Sequence, residues 1–182
     1  MARHTIGIIV GSNRRASINR RLALALARLL EDRFDVRFIA IDDLPIYNGD
    51  LEGHRPAAVD RFTDEVRGVD ALLFVSPEHN RSVTALLKNA IDWGSKPTDR
   101  NVWSGKPAAI TGTSMGAIGT AVGQQHLRQI LAILGMTVMG GEAYISFKPE
   151  PVDDEGHFLD ESRRAFLAAY MDRFATLVEK LA

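Results

Sequence analysis

Five short apolar runs alternate with longer amphipathic stretches along the chain. The apolar runs are rich in β-branched residues and hardly alternate with polar ones, which predicts parallel strands buried on both faces. The stretches between them repeat apolar residues at helical spacing, as at Leu22, Leu26 and Leu30. The predicted strands are residues 5–10, 36–41, 71–76, 106–113 and a segment within 136–145, and the predicted helices are residues 19–33, 56–67, 82–93, 119–134 and 160–181.

Strands that alternate with helices predict an α/β fold, here a doubly wound five-stranded parallel sheet with helices on both faces. The length of 182 residues fits one domain spanning residues 1–182. Gly135 is expected to end the fourth helix, and Gly140 and Gly141 interrupt the fifth strand. Ligands of such sheets bind beyond the carboxyl ends of the strands. The loops after strands one, three and four are therefore the expected functional segments.

The composition, 46% hydrophobic and 25% charged, is that of an ordinary globular protein. A formal net charge of −1 gives no reason to expect nucleic acid or an anionic membrane as a partner. The chain has no cysteine, so thiolate chemistry and Cys-ligated metals are excluded, and any redox chemistry needs a bound cofactor. Residues 1–4 lack the apolar region of a signal peptide, and no apolar run is as long as a membrane span. We expect a cytoplasmic protein.

The loop after the first strand reads GSNRRASIN. It runs into a helix N-terminus, where free N–H groups and the helix dipole favour an anion. Ser12 and Ser17 could donate hydroxyl hydrogen bonds, Asn19 could donate from its amide, and Arg14 could bind phosphate oxygens in a bidentate pair. The Rossmann and Walker A patterns are both absent, and a Ser- and Asn-rich loop favours a terminal monophosphate. The alternative is a helix N-cap at Ser17 with solvated arginines.

The loop after the third strand reads SPEHNRS. Pro77 removes one N–H and stiffens the turn, and the backbone N–H groups of Glu78, His79 and Asn80 could then meet the polar edge of a flat heterocycle. The alternative is a simple turn in which Ser82 caps the next helix. A lone loop histidine is more often solvated or stacked on a ring than an acid–base catalyst. We therefore assign no catalytic acid, base or nucleophile.

The loop after the fourth strand reads TSMGAIG. Gly112, Gly116 and Gly119 allow close backbone approach or positive φ, and Met115 offers an adaptable apolar surface. The alternative is a glycine-rich turn between a strand and a helix. Three such loops at one edge are harder to explain as plain turns than any one of them alone.

The chain carries, in order, GSxRxxSxN at residues 11–19, PExNxSV at 77–83, LKNAIDW at 87–93, SGKP at 104–107 and TSMG at 113–116. In this order the motifs closely resemble those of the NADPH-dependent FMN reductase family, the group that includes chromate, quinone and azo-dye reductases. The resemblance covers about residues 5–145 and extends to the last helix. It implies a flavodoxin-like fold, bound FMN, and NADPH or NADH as the hydride donor.

The resemblance also implies which residues bind FMN. They are Ser12, Arg14, Ser17, Ile18 and Asn19 at the phosphate, Pro77, Glu78, His79 and Asn80 at the ring, and Ser114 in the third contacting loop. It implies a homodimer or homotetramer with active sites near subunit interfaces. The helix at residues 119–134, which carries Gln124, Gln125, His126 and Arg128, is the candidate interface. No metal is needed, because the flavin carries the chemistry.

Several positions depart from the family pattern. His79 stands where the family commonly has tyrosine, Arg81 where an aromatic residue is frequent, and Thr84 and Ala85 where Pro-Gly is usual. These positions border the ring pocket and leave the electron acceptor open. Arg81 could attract an anionic acceptor or the phosphate of the nicotinamide cofactor, or it could be a surface or interface arginine. The choice between NADPH and NADH stays open, because Arg14 is expected to bind FMN.

The implied reaction has two halves, oxidation of NAD(P)H and reduction of a small-molecule acceptor at the same flavin face. Candidate acceptors are quinones, chromate, azo compounds and free flavin. Two alternatives remain at this point, a non-enzymatic electron carrier of the flavodoxin type and a module that binds a phosphorylated metabolite. The net charge of −1 disfavours the carrier, since such carriers are strongly acidic.

Overall fold

The computed structural model describes residues 3–182, which fold around a central parallel β-sheet. The strands are β1 (Thr5–Val10), β2 (Asp35–Phe38), β3 (Ala71–Val75), β4 (Pro107–Ser114), β5 (Thr137–Val138) and β6 (Tyr144–Ser146). They follow the order β2-β1-β3-β4-β5, with β6 also paired to β4, and each of these ladders is parallel. This is the order of flavodoxin-like doubly wound sheets, so the predicted fold class is confirmed.

Two short strands share the fifth position of the sheet. β5 pairs with the start of β4, where Thr137 lies opposite Pro107, and β6 pairs with its end, where Tyr144 lies opposite Gly112. The predicted interruption separates them, and Gly141 there has a φ of +84°. The fifth strand is therefore broken at the glycines that the sequence singles out.

The helices cover both faces of the sheet. They are α1 (Ile18–Arg28), α2 (Ala57–Arg67), α3 (Ala85–Gly94), α4 (Ala121–Ile133) and α5 (Glu161–Leu181). Alternate residues of β3 enter two cores: Leu73 and Val75 pack with α1 and α5, while Leu72 and Phe74 pack with α2, α3 and α4. Burial on both faces explains why the strands show almost no polar alternation.

Two predicted elements, β2 and α1, extend too far at their C-terminal ends. β2 ends at Phe38 and not at residue 41, although Ile39 and Ile41 stay buried. α1 ends at Arg28 and not at residue 33, although Leu30 is buried in the turns that follow. In both places apolar burial continues after the regular hydrogen bonds have ended, so the hydrophobic pattern overruns the element. No described helix combines the length and the hydropathy that crossing a membrane requires.

Candidate functional site

A cavity of about 400 Å³, here called the edge cavity, opens at the carboxyl ends of β1, β3 and β4. The three predicted loops and the first turn of α3 line it. Its residues are Gly11, Ser12, Asn13, Arg14, Ser17, Ile18, Asn19, Pro77, Glu78, His79, Thr84, Ala85, Leu86, Thr113, Ser114 and Met115. Every predicted cofactor-binding residue except Asn80 is in this set. The fold thus brings together three segments that are far apart in the sequence.

The first loop presents the N-terminus of α1 to the edge cavity. Ser17 is the N-cap, and its hydroxyl oxygen accepts a hydrogen bond of 3.2 Å from the backbone N–H of Arg20. The N–H groups of Ile18 and Asn19, in the first turn, have no acceptor within the helix. Arg14 is exposed and adds the positive charge of its guanidinium to the same cavity. Ser17 is therefore both a helix cap and a cavity residue, and the turn it begins can bind an anion.

The side chain of Asn19 differs from the prediction. It is buried, its Nδ2 donates to the Thr113 carbonyl at 2.9 Å, and its Oδ1 accepts from the Thr113 N–H at 2.9 Å. The expected amide donor for a phosphate is thus used inside the protein. The pair fastens the first loop to the end of β4, so Asn19 holds two walls of the edge cavity at a fixed separation.

The second loop turns back on itself more tightly than expected. His79 and Ser82 exchange backbone hydrogen bonds of 3.0 and 2.9 Å, and the two residues between them, Asn80 and Arg81, have φ values of 50° and 65°. This is the left-handed backbone of a two-residue hairpin turn. The His79 N–H is therefore not available to a heterocycle, which corrects the expectation of three free N–H groups. The turn also carries Asn80 out of the edge cavity.

Glu78 connects the second loop to α4. Its Oε2 accepts a hydrogen bond of 2.9 Å from the Gly123 N–H, in the first turn of that helix. The N-cap residue Thr120 makes no side-chain cap bond, so the Glu78 carboxylate supplies a negative charge where the helix dipole favours one. Arg81 lies 3.5 Å from the other carboxylate oxygen and is largely exposed. Arg81 is thus a surface arginine paired with Glu78.

The cap of α3 is Thr84 and not Ser82, which corrects the sequence interpretation. The Thr84 hydroxyl accepts from the Leu87 N–H at 3.1 Å and donates to the Gly11 carbonyl at 2.9 Å. The Ser82 hydroxyl oxygen instead lies 3.1 Å from Nδ1 of His126, in α4. Both hydroxyl residues precede the helical pattern, and the sequence alone does not show the hairpin turn that displaces Ser82.

The ends of β1, β3 and β4 meet closely at Ser76. A Cβ on Gly11 would lie 2.2 Å from the Ser76 hydroxyl oxygen, and a Cβ on Gly112 would lie 1.9 Å from the Ser76 carbonyl oxygen. Glycine is therefore required at both strand ends. Gly119 takes a φ of +60°, as expected of the third loop, whereas Gly116 has no positive φ, and a Cβ there would make only an ordinary contact, at 3.6 Å from the Ser114 hydroxyl oxygen.

The third loop is held by its own hydrogen bonds. The Ser114 hydroxyl donates to the Gly119 carbonyl at 2.6 Å and accepts from the Gly116 N–H at 3.2 Å. Met115 and Ile118 are about half exposed beside it, at 54% and 51%. Seven lining residues lie outside the predicted FMN-binding set, although the sequence already places Thr84 and Ala85 at the ring pocket and Met115 on the third loop. The seven are Gly11, Asn13, Thr84, Ala85, Leu86, Thr113 and Met115.

A groove of about 910 Å³ lies between α3 and α4 and continues the edge cavity through His79 and Ala85. We call it the α3–α4 groove. Asn80 lies in this groove, together with His126 and Ile133 of α4. Two other residues of the predicted interface face inward. Gln124 is buried and donates to the Ala143 carbonyl at 3.0 Å, and Arg128 donates to the Met139 carbonyl at 2.7 Å.

The fold and the edge cavity define a flavodoxin-like protein with a helix terminus suited to phosphate. Comparisons with known proteins give its family. Residues 4–150 match the family model described as NADPH-dependent FMN reductase. The chain is 44% identical over 178 residues to a quinone reductase of Pseudomonas putida, with 97% of this chain and 95% of that protein covered. It is 43% identical over 174 residues to a 2-hydroxy-1,4-benzoquinone reductase of a Burkholderia species, with 95% of each covered. This chain belongs to the NADPH-dependent FMN reductase family.

A solved structure supports the same family assignment. The chain is similar to FerB, a flavoenzyme NAD(P)H:acceptor oxidoreductase from Paracoccus denitrificans, with a TM-score of 0.93, 40% identity and 98% of each chain covered. The chain is therefore an oxidoreductase that uses FMN and NAD(P)H, and the family prediction is confirmed. Family membership decides against the non-enzymatic electron carrier and against a module that only binds a metabolite.

Proposed function

We propose that this protein transfers electrons from NAD(P)H through FMN to a small quinone, with FMN held in the edge cavity. The observation that carries the proposal is the convergence of three loops on that cavity at the carboxyl edge of the sheet. The volume of about 400 Å³ lies within the range of small-molecule and cofactor sites. The quinone as acceptor is supported by the relatives named quinone reductase.

The residues of the edge cavity fit FMN. The first turn of α1, with Ser12, Ser17 and Arg14, offers hydroxyl, backbone N–H and guanidinium donors to a phosphomonoester. Pro77, Glu78 and Ser114 of the second and third loops line the rest of the edge cavity, where the ring would lie. FMN supplies the redox chemistry when bound, so the chain itself has to bind, orient and shield it.

The roles of individual residues follow from their contacts. Arg14 and the α1 N-terminus border the edge cavity and would hold the phosphate, and Asn19 keeps the first and third loops together through Thr113. Glu78 fixes the ring loop against α4. His79 borders both the edge cavity and the α3–α4 groove, so it lies at the rim where an acceptor would enter.

Flavin titrations of the apoprotein test the phosphate site. Wild type should bind FMN more tightly than riboflavin, which has no phosphate. Arg14→Gln should weaken FMN binding by about tenfold or more and leave riboflavin binding unchanged, since a charge-assisted pair contributes about 1.5–3 kcal/mol. Arg15→Gln, which removes the neighbouring charge outside the edge cavity, is the matched control. Equal loss for both flavins in Arg14→Gln would contradict the assigned phosphate site.

The acceptor is tested by steady-state kinetics at a fixed NADPH concentration. We expect kcat/KM for 1,4-benzoquinone to exceed the values for chromate, an azo dye and free FMN. If free FMN were reduced well and benzoquinone were not, the protein would be a flavin reductase, and the quinone assignment would be wrong.

We also propose a homodimer in which a second copy covers the α3–α4 groove, with a tetramer as a pair of such dimers. Ile133 supports this surface, because its side chain is 83% exposed beside the groove. The groove adjoins the rim at His79, so a second copy there would enclose the acceptor site. Light scattering after gel filtration should give a dimer or tetramer, and Ile133→Glu should give a monomer. A monomeric wild type would contradict this assembly. The cytoplasmic location stays a prediction.

A further inference from the structure

The side-chain amide of Gln124 is buried in α4, and only its nitrogen has hydrogen-bond partners. The side chain belongs to a residue that is 3% exposed, and its Nε2 donates to the Thr120 hydroxyl at 2.9 Å and to the Ala143 carbonyl at 3.0 Å. Within residues 3–182, the Oε1 atom is closed off from the surface and receives no hydrogen bond. Buried acceptors of native proteins are nearly always satisfied, by protein groups or by ordered water.

The neighbours of Gln124 decide which end of the amide carries the oxygen. A carbonyl oxygen only accepts hydrogen bonds, so the amide atom beside the Ala143 carbonyl has to be the donor Nε2. Turning the amide over would bring two oxygens together at Ala143 and leave the nitrogen without an acceptor. The unpartnered atom is therefore an acceptor, and a group that binds it has to donate a proton.

A small cavity of about 10 Å³, here called the inner cavity, adjoins this amide between α4 and the second loop. Neither Thr120 nor Ala143, the two partners of Nε2, lines it, so Oε1 is the polar side-chain atom of Gln124 left for this space. The volume is about the least that holds one water molecule. The lining residues are Ser76, Pro77, Val83, Ile110, Thr111, Gly123, Gln124 and Leu127.

The two hydroxyl groups that line the inner cavity have already used their protons. The Ser76 hydroxyl donates to the Pro77 carbonyl at 3.0 Å, and the Thr111 hydroxyl donates to the Ala143 carbonyl at 2.9 Å. Both hydroxyl oxygens keep lone pairs and can still accept. A water molecule brings two protons, so it can satisfy Gln124 Oε1 and one of these oxygens at the same time. The chemistry of the inner cavity therefore fits water.

We propose that one buried water molecule binds Gln124 Oε1 in the inner cavity, and that Gln124 acts through it as a positioning residue for the second loop. Pro77 lines both the inner cavity and the edge cavity, so the water lies behind a loop residue that borders the proposed flavin site. Gly123, another lining residue, donates to Glu78 of the same loop. The second loop is thus joined to α4 twice, through Glu78 and through the water. The effect on flavin rests on the function proposed above, whereas the water site does not.

A high-resolution crystal structure of the purified wild-type protein tests the water site directly. It should show one water molecule within hydrogen-bond distance of Gln124 Oε1. Gln124→Met, which has a similar length and no amide, should lose this water. Gln124→Glu should keep it, because a buried carboxyl stays protonated and then offers a donor and an acceptor as the amide does. A wild-type structure with no water at Oε1, or a Gln124→Met structure that retains the water, would overturn the inference.

Flavin titrations separate a positioning role from a purely structural one. Because the second loop is assigned to the ring and not to the phosphate, Gln124→Met should weaken riboflavin and FMN binding by the same factor, about threefold or more, and shift the visible absorption band of the bound flavin. Gln124→Glu should restore both properties. Gln125→Met is the matched control, since Gln125 is exposed and bonds to Glu142 and Tyr144 outside the inner cavity.

Two outcomes of these titrations would contradict the positioning role in different ways. If Gln124→Met lowered only the urea midpoint and left flavin affinity and spectrum unchanged, Gln124 would be structural and the positioning role would be wrong. A wild type that holds the water but binds no FMN would defeat the proposed function and the positioning role together, and would leave the water site standing.

Discussion

At the scale of single residues, the site depends on backbone contacts that leave no room for a side chain. Ser76 lies between Gly11 and Gly112, and its backbone and hydroxyl occupy the space of both missing Cβ atoms. These contacts bring the first and third loops within reach of one ligand. Close approach at Gly112 was predictable, because a glycine in a strand often marks a place where another backbone comes near. Ser76 was not predictable as the partner, since that contact joins residues distant in the chain.

Gly112→Ala should lower the free energy of unfolding by about 1–3 kcal/mol, because the new Cβ would overlap the Ser76 carbonyl, and backbone cannot move aside cheaply. FMN affinity should fall with it, since the third loop would shift. Gly53→Ala is the control, because a Cβ there meets nothing within 4 Å. Urea unfolding and FMN titration give the two quantities. Equal free energies of unfolding for the two variants would show that the ends of β3 and β4 do not pack closely at Gly112 and Ser76.

The polar residues of the loops show the limit of sequence reasoning at this scale. The types and positions of Asn19 and Glu78 indicate a site, but their side chains bond to Thr113 and Gly123 inside the protein. An amide or carboxylate in a loop has the same sequence signal whether it meets a ligand or a backbone group. The difference depends on distances between segments that the sequence does not give.

At the scale of elements, helix starts position the cavity walls. α1 begins at its Ser17 cap, which the sequence could predict from a serine before an apolar repeat. α3 begins later than predicted because the hairpin turn at Asn80 and Arg81 uses two residues first. Asn80 is of a type enriched in the left-handed region, but Arg81 stands where glycine would complete the usual Asn-Gly turn signal. The helices were thus predictable from their long apolar repeats, whereas the short turn before α3 was not.

Thr84→Val should remove the cap of α3 and leave the Gly11 carbonyl without its hydroxyl donor. The expected cost is about 2 kcal/mol in the free energy of unfolding, and FMN should bind more weakly because the first loop is held through this contact. Ser82→Ala, at the position first expected to cap the helix, should cost less than about 0.5 kcal/mol. If Ser82→Ala lowered the free energy of unfolding more than Thr84→Val does, Ser82 and not Thr84 would be the cap of α3.

α5 is joined to the sheet by a buried hydrogen bond. The Tyr170 hydroxyl donates to the Ile110 carbonyl at 2.7 Å, and burial raises the pKa of Tyr170 above its ordinary value. Tyr170→Phe should therefore cost about 1 kcal/mol at neutral pH. The free energy of unfolding at neutral pH, measured in urea, gives this value.

The same substitution should change the pH dependence of stability. Because the folded-state pKa of Tyr170 is raised, its stabilising contribution is complete below the unfolded value of about 10 and is lost as pH rises through the folded value. The stability gap between wild type and Tyr170→Phe should therefore narrow as the pH rises above about 9.5. A gap that widened with pH would contradict the assigned direction of the shift.

At the scale of the whole molecule, the two cores share one sheet. β3 contributes Leu73 to the core under α1 and α5, and Phe74 to the core under α2, α3 and α4. We propose that residues 1–182 form a single folding unit for this reason. Fluorescence of Trp93 and Trp103, which both lie in the second core, should change at the same urea concentration as far-ultraviolet circular dichroism. Separate transitions would indicate two units.

The central proposal is that three loops of a flavodoxin-like sheet hold FMN for electron transfer from NADPH. The most direct test is the visible absorption spectrum of the purified protein before and after anaerobic NADPH. We predict a flavin spectrum that bleaches on addition of NADPH and returns when benzoquinone is added. A protein that stays colourless and takes up no added FMN, or a bound flavin that NADPH and NADH leave oxidised, would contradict the proposal.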